Sequence, residues 1–255
     1  MMIRIDSHTH WGRCWSERDG ADPSNWLALA GKYGVSHSLV LPEHGLFNAG
    51  AIAAEHDLLE RVCSRSQGAM VPCCTACIWE PVEALSEVRR CLSGGRFRGI
   101  KFHPWLQGCS VSVPAMDDMA DLAAEFGVPL IFHDGTPPFS LPSQMALLAQ
   151  RHPRTNVILG HAGLFEHYQE AAAAVRAADN VWACLCGPHL EGLRHLLDRC
   201  PLERLLWGTD SGFGLVDGLY YRVPLMDLLR LNDAQAEAIY QTNPIRVFGL
   251  HGVLA

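Results

Sequence analysis

Seven side chains of the kinds that bind metals or move protons stand at the ends of short apolar runs. They are His8 and His10 in IRIDSHTH, Lys101 and His103 in GIKFHP, His133 in LIFHDG, His161 in ILGHAG and Asp210 in LLWGTDS. Alternate side chains of a strand share a face, so His8 and His10 would point the same way, and neutral imidazole is a common ligand of zinc-like ions. Taken alone, the pair is equally compatible with one histidine capping the next turn and the other satisfied in the core. Taken together, three histidines and an aspartate would hold a zinc-like ion, leave a position for water and bring that water's pKa toward neutrality. Asp210, beside ion and water, would accept the proton of the nucleophile and pass it to a leaving group. His161 would donate to a substrate oxygen, orient the water or bind a second ion.

These residues need a scaffold that gathers them. Eight short runs carry strand signatures: 3–6, 36–41, 69–74, 97–102, 128–132, 156–160, 180–185 and 204–208. Between them, 24–33, 51–66, 81–92, 115–126, 143–151, 166–177 and 190–200 place apolar residues at three- and four-residue spacing, which predicts seven crossover helices. Beyond the last strand, 221–230 and 233–240 read as helices, the second capped by Asn232 or Asp233. Near-continuous apolar strands joined by helices imply a parallel sheet covered on its outside. Eight such units predict an α/β fold, a single-domain (β/α)8 TIM barrel over residues 1–255. No GxGxxG follows the first strand, which removes the main reason for a dinucleotide-binding sheet. In a barrel the carboxyl ends of the strands meet at one face, so the seven residues would converge on one axial pocket.

Composition narrows the partners. With 49% hydrophobic and 18% charged residues in a chain of 255, a globular protein with a sizeable core is expected. A net charge of −7 with no basic stripe argues against nucleic acid or an anionic membrane. The first strand begins without a signal-peptide pattern and no apolar stretch reaches spanning length, so a cytoplasmic protein without membrane contact is expected. Ten cysteines are then expected as reduced thiols. Cys74-x-x-Cys77 and Cys184-x-Cys186 would together make a four-thiolate zinc site, but NVWACLCG reads as a strand with core thiols. Barrels often pair through outer helices, which makes a homo-oligomer an expectation.

The motifs above, with the later TNPIRVFGL, run over nearly the whole chain in the order of the amidohydrolase superfamily. They most resemble its branch that includes aminocarboxymuconate-semialdehyde decarboxylase and many barrel-fold metal-dependent hydrolases. The resemblance implies His8, His10, His133 and Asp210 as ligands of one divalent ion, zinc first and manganese as the alternative. It implies that His161 is a nearby catalytic or substrate-binding imidazole, and that Asn243 and Arg246 are mainly structural. Two-metal members carry a carboxylated strand-four lysine that bridges the ions. Lys101 stands at that place, although GIKFHP more closely resembles the one-metal branch. The other reading of Lys101 is an internal ammonium paired with a carboxylate such as Asp6.

Candidates for holding substrate are Lys101, His103, Trp11, Arg13, Trp105 and Arg222, which would supply aromatic walls and cations for a carboxylate. The aromatic and arginine residues also have an ordinary reading as surface or interface residues. The leading expectation is a metal-dependent hydrolase of a small carboxylated amide, ester or lactone, using metal-activated water with Asp210 and His161 as catalytic groups. The alternatives are a metal-dependent non-oxidative decarboxylase of an unsaturated or aromatic acid, a catalytically silent metal-binding barrel, and a metal-free lactonase. In the enzymatic readings the partner is a small-molecule substrate.

Overall fold

The computed structural model describes residues 3–12, 20–212 and 217–252. Arg13 lies outside the described residues. Nine strand segments carry the eight expected strands: β1 (Ile5–Trp11), β2 (His37–Pro42), β3 (Met70–Pro72), β4 (Cys74–Thr75), β5 (Ile100–Phe102), β6 (Leu130–Phe132), β7 (Val157–Leu159), β8 (Val181–Cys184) and β9 (Leu205–Leu206). The third expected strand is interrupted at Cys73, so that β3 pairs with β2 and β4 with β5. The Cys73 N–H still donates to the Val40 carbonyl at 2.8 Å, which carries the ring across the break. β4 to β9 follow in parallel order. The ring closes where Ser7 N–H meets the Trp207 carbonyl (2.9 Å), Asp210 N–H the His8 carbonyl (2.8 Å) and His10 N–H the Ser211 carbonyl (2.7 Å). The result is a (β/α)8 barrel.

Its outer layer, among the described residues, is α1 (Ser24–Lys32), α2 (Ile52–Arg65), α3 (Pro81–Ser93), α4 (Pro114–Phe126), α5 (Pro142–Arg151), α6 (Tyr168–Ala177) and α7 (Leu190–Arg199). Proline opens α3, α4 and α5, where its missing N–H would have had no intrahelical partner. None of the described helices is long and apolar enough to cross a membrane.

Alternation along the strands divides the core. Leu39, Leu41, Ile131, Ile158, Trp182 and Leu206 fill the barrel, while Val40, Phe102, Phe132, Leu159, Ala183 and Trp207 face the helices. β1 departs from this rule. Ile5 belongs to the interior and Trp11 to the helix-facing cluster, although they are six positions apart and simple alternation would put them on one face. Between Asp6 and Thr9, three steps of β1 pass two of β2, a bulge that reverses the alternation and turns His8 and His10 inward. The Trp11 indole points outward, donating to the Gly20 carbonyl at 3.0 Å.

The tail comprises α8 (Leu219–Asp227), α9 (Asp233–Glu237) and, after a π-helical turn at Ala238–Thr242, α10 (Asn243–Val247). Asn232 caps α9 in a reciprocal box with Gln235. Val247, Phe248 and Leu250 join the barrel's interior cluster. Buried Asn243 donates to the Leu202 and Leu205 carbonyls at 2.8 Å each, and Arg246 donates to the Glu203 carbonyl, so both tie the tail to β9 and the turn before it. Replacing Asn243 by Ala removes both donors and should lower the unfolding free energy by about 1–3 kcal/mol. A urea midpoint unchanged from the parent would contradict this anchoring role.

Candidate metal centre

The bulge and the ring closure share one carboxylate. Oδ1 of fully buried Asp6 accepts His8 N–H (3.1 Å) and Thr209 N–H (3.0 Å), and Oδ2 accepts the hydroxyls of Thr9 (2.7 Å) and Thr209 (2.6 Å). Two donors thus come from β1 and two from the segment that leads to Asp210. Burial pushes the Asp6 carboxyl up to about 6, against these four bonds, which favour the ionised form. Close approach of the two segments requires glycine at position 208, where a Cβ would lie 2.6 Å from the His8 Cβ and 2.9 Å from the Cys184 Sγ. Asp210 has φ 58, a left-handed conformation that disfavours a non-glycine residue and that its N–H bond to the His8 carbonyl helps to hold.

The outcome is a convergence of three ligand atoms. Nε2 of His8 and Nε2 of His10 each lie 3.5 Å from Oδ1 of Asp210. Two ligands held at about 2.0–2.1 Å by one tetrahedral ion stand roughly 3.4 Å apart, so the spacing suits a single zinc-like ion. Among the described residues the buried Oδ1 has no hydrogen-bond partner, as an atom reserved for a cation would be. The nitrogens are correctly presented as well. His10 Nδ1 lies 2.9 Å from the Pro42 carbonyl, which can only accept, so the proton is on Nδ1 and Nε2 carries a lone pair. Lys101 Nζ lies 3.1 Å from His8 Nε2, and as an ammonium it donates to the lone pair that an ion would use, so an ion bound to His8 would displace this contact. The donor set therefore fits a divalent ion. Lys101 meets His8 rather than Asp6, and burial lowers its pKa while Asp210 raises it. Burial pushes the Asp210 carboxyl up to about 7, against the pull of Lys101.

His133 stands apart from this trio. Its Nε2 bonds to the Thr136 hydroxyl at 2.9 Å, and its ring stacks on His103 at 3.8 Å between centroids, 11° from parallel. The His161 ring lies between, 4.4 Å from His133 and 4.7 Å from His8. Burial, reinforced by Lys101, draws His133 down to about 3, so it is a neutral imidazole. His103 is likewise drawn far down, by burial and then by His133 and Lys101.

Alternation from Leu159 would point His161 toward the helices. It turns inward because the strand ends, and Ala162, Gly163 and Leu164 follow with φ of 45, 86 and 53. The loop is held by fully buried Asp134, whose two oxygens accept His161 N–H and Gly163 N–H at 2.6 Å each. Asp134 and the bulge-forming role of Asp6 were not assigned from the sequence, although both acids are visible beside the histidines in LIFHDG and IDSHTH.

The remaining candidates differ in placement. Trp105 is 52% exposed, in the segment after β5. Arg222 is buried and its two terminal nitrogens donate to the Gly187 and Pro188 carbonyls at 3.0 and 2.9 Å, anchoring the loop after β8. The nine described cysteines are free thiols, and Cys74 and Cys77 enter no multi-ligand group among the described residues. A second cluster, His56, Glu87 and Cys91, lies in the helix layer. There Thr75 N–H donates to His56 Nε2 at 2.9 Å, so Nδ1 bears the proton shared with Glu87 at 2.7 Å, and no lone pair is left for an ion. The carboxylate favours a second proton on that ring, but the Thr75 amide occupies its place.

A family model described as Amidohydrolase matches residues 5–250. The chain belongs to the amidohydrolase family. Among solved structures, this amidohydrolase resembles 2,6-dihydroxybenzoate decarboxylase from Rhizobium (TM-score 0.78, 16% identity, 99% of this chain and 100% of the other). It also resembles 4-oxalomesaconate hydratase from Rhodopseudomonas palustris (0.76, 17%, 98% and 97%). A third is a probable 2-pyrone-4,6-dicarboxylic acid hydrolase from Acinetobacter baumannii (0.71, 12%, 97% and 100%). At these identities the likeness shows the fold. No curated protein matches the sequence. The family is one of enzymes that use a divalent metal.

If Asp6 builds the centre, Asp6→Ala should weaken zinc binding by about 10–100-fold and destabilise the fold by about 3 kcal/mol, through loss of bonds to four buried donors. Chelator competition and urea unfolding measure the two effects. Zinc affinity equal to the parent's would contradict the assignment.

Proposed function

We propose that this amidohydrolase is a metal-dependent hydrolase of a small carboxylated amide, ester or lactone. The observation that carries the reading is the buried Asp210 Oδ1, without a hydrogen-bond partner among the described residues and 3.5 Å from Nε2 of both His8 and His10. Zinc is the first choice for two imidazoles and a carboxylate, with manganese as the alternative, and neutral His133 is the proposed fourth ligand. When bound there, a divalent ion polarises a substrate carbonyl and lowers the pKa of a water. Asp210 is 22% exposed although Oδ1 is buried, so its other oxygen is on the open side. From there it takes the proton of the attacking water and returns it to the leaving group. Lys101 lies against His8, His103 stacks on His133 and Trp105 is exposed in the segment after β5, and we assign them to substrate contact. A single ion without lysine carboxylation is the preferred site, because GIKFHP more closely resembles the one-metal branch.

One observation favours decarboxylation as the second reading. Arg222 is tied by its terminal nitrogens to the Gly187 and Pro188 carbonyls and Trp11 faces outward, so among the described candidates Lys101 is the cation in contact with a ligand of the trio, and an acid substrate's carboxylate would be drawn to it. A carboxylate drawn that close to the centre is the group a decarboxylase removes, and Asp210 would then protonate the carbon left behind.

The purified enzyme should hold about one equivalent of zinc or manganese. Lactones and amides bearing a carboxylate should release acid without carbon dioxide, whereas carbon dioxide from unsaturated or aromatic acids would transfer the assignment to the second reading. Asp210→Asn should lower kcat by at least about 100-fold with folding preserved. A variant retaining full turnover would remove Asp210 from the chemistry.

A further inference from the structure

Cys186, at the end of the β8 run and fully buried, lies between two groups of the β7 loop. Its Sγ is 2.9 Å from the Gly160 carbonyl oxygen and 3.3 Å from Nδ1 of His161. A carbonyl only accepts, and a thiol has one proton to give. Burial holds that proton on sulfur by pushing the thiol well above its ordinary range. The S–H therefore donates to Gly160, and the contact with His161 must be an imidazole N–H donating to a sulfur lone pair.

We infer that Cys186 fixes His161 as the Nδ1–H tautomer, so that Nε2 presents a lone pair and receives hydrogen bonds from water or substrate rather than giving them. Nε2 of His161 has no hydrogen-bond partner among the described residues. The packing leaves Cys186 little room to choose otherwise. A Cβ on Gly187 would come 2.0 Å from the His161 carbonyl oxygen, and one on Gly160 would come 2.4 Å from that of Phe132, so these segments approach as closely as backbone allows.

The inference rests on the reading that His161 faces the reacting atoms. It then sets a preference for what that face can hold: a water or a substrate hydroxyl, which offers a proton to Nε2, and not a carbonyl or carboxylate oxygen. Orienting a water and binding an ion suit this tautomer, and donating to a substrate oxygen does not. Cys186 acts through His161 and is a positioning residue.

Long-range nitrogen–proton NMR of the full chain with labelled histidine, as isolated and after zinc loading, tests this, with His161→Gln assigning the signals. The parent should show a protonated Nδ1 and an unprotonated Nε2 at His161. Cys186→Ser, whose hydroxyl can also donate to the carbonyl and accept from Nδ1, should keep that pattern, while Cys186→Ala should give a mixture of tautomers. A proton on Nε2 in the parent, or a pure Nδ1–H form in Cys186→Ala, would overturn the inference, and the parent spectrum decides even if a variant does not fold. Zinc titration of the same samples judges the metal reading separately, because the tautomer is read whether or not zinc binds.

Discussion

Four hydrogen bonds converge on the carboxylate of Asp6, two donated from β1 and two from Thr209. That carboxylate bridges the first and last strands of the ring. By accepting the His8 N–H it supports the bulge that reverses the alternation of β1, and by holding Thr209 it fixes the chain one residue before Asp210. Without the bulge, the strand that places Ile5 inside would carry both histidines to the helix side. The three ligand atoms converge because one buried acid constrains both segments at once.

A second constraint is electrostatic. His8, His10, His103, His133 and His161 crowd the mouth beside Lys101, and burial with mutual repulsion keeps His8, His103, His133 and His161 uncharged. Neutral imidazoles offer one donor and one acceptor each. Donors are already directed at fixed acceptors, His10 toward Pro42 and, by the inference above, His161 toward Cys186. What remains turned to the centre is the lone pair of His10 Nε2, that of His8 Nε2 which Lys101 shares, and a carboxylate oxygen of Asp210 with no hydrogen-bond partner among the described residues. Such a surface is suited to a cation.

Much of this was legible in the sequence, for identifiable reasons. Each motif stands where an apolar run ends, and a closed barrel turns those ends to one face, so His8, His10 and Asp210 could be grouped before any coordinate was known. Details of strand phase were not legible. A bulge changes which face every later side chain occupies, and nothing in IDSHTH marks it except an acid two residues before the first histidine. The same limit applies to Trp11, which follows the ligand pair in sequence but points away from it. His161 shows the opposite case: alternation would turn it outward, and Asp134 with three left-handed residues turns it inward. Arg222 was visible as a cation but its carbonyl partners were not, because they belong to a loop distant in sequence.

The central claim is that imidazole nitrogen and carboxylate oxygen, not sulfur, hold the ion. The competing donor group is on the same ring of strands, since His8 also lies within reach of Cys184 and Cys186. X-ray absorption at the zinc edge of the loaded enzyme separates the two directly. The account predicts a first shell of nitrogen and oxygen at about 2.0–2.1 Å with histidine outer-shell scattering. A sulfur shell at about 2.3 Å would contradict it.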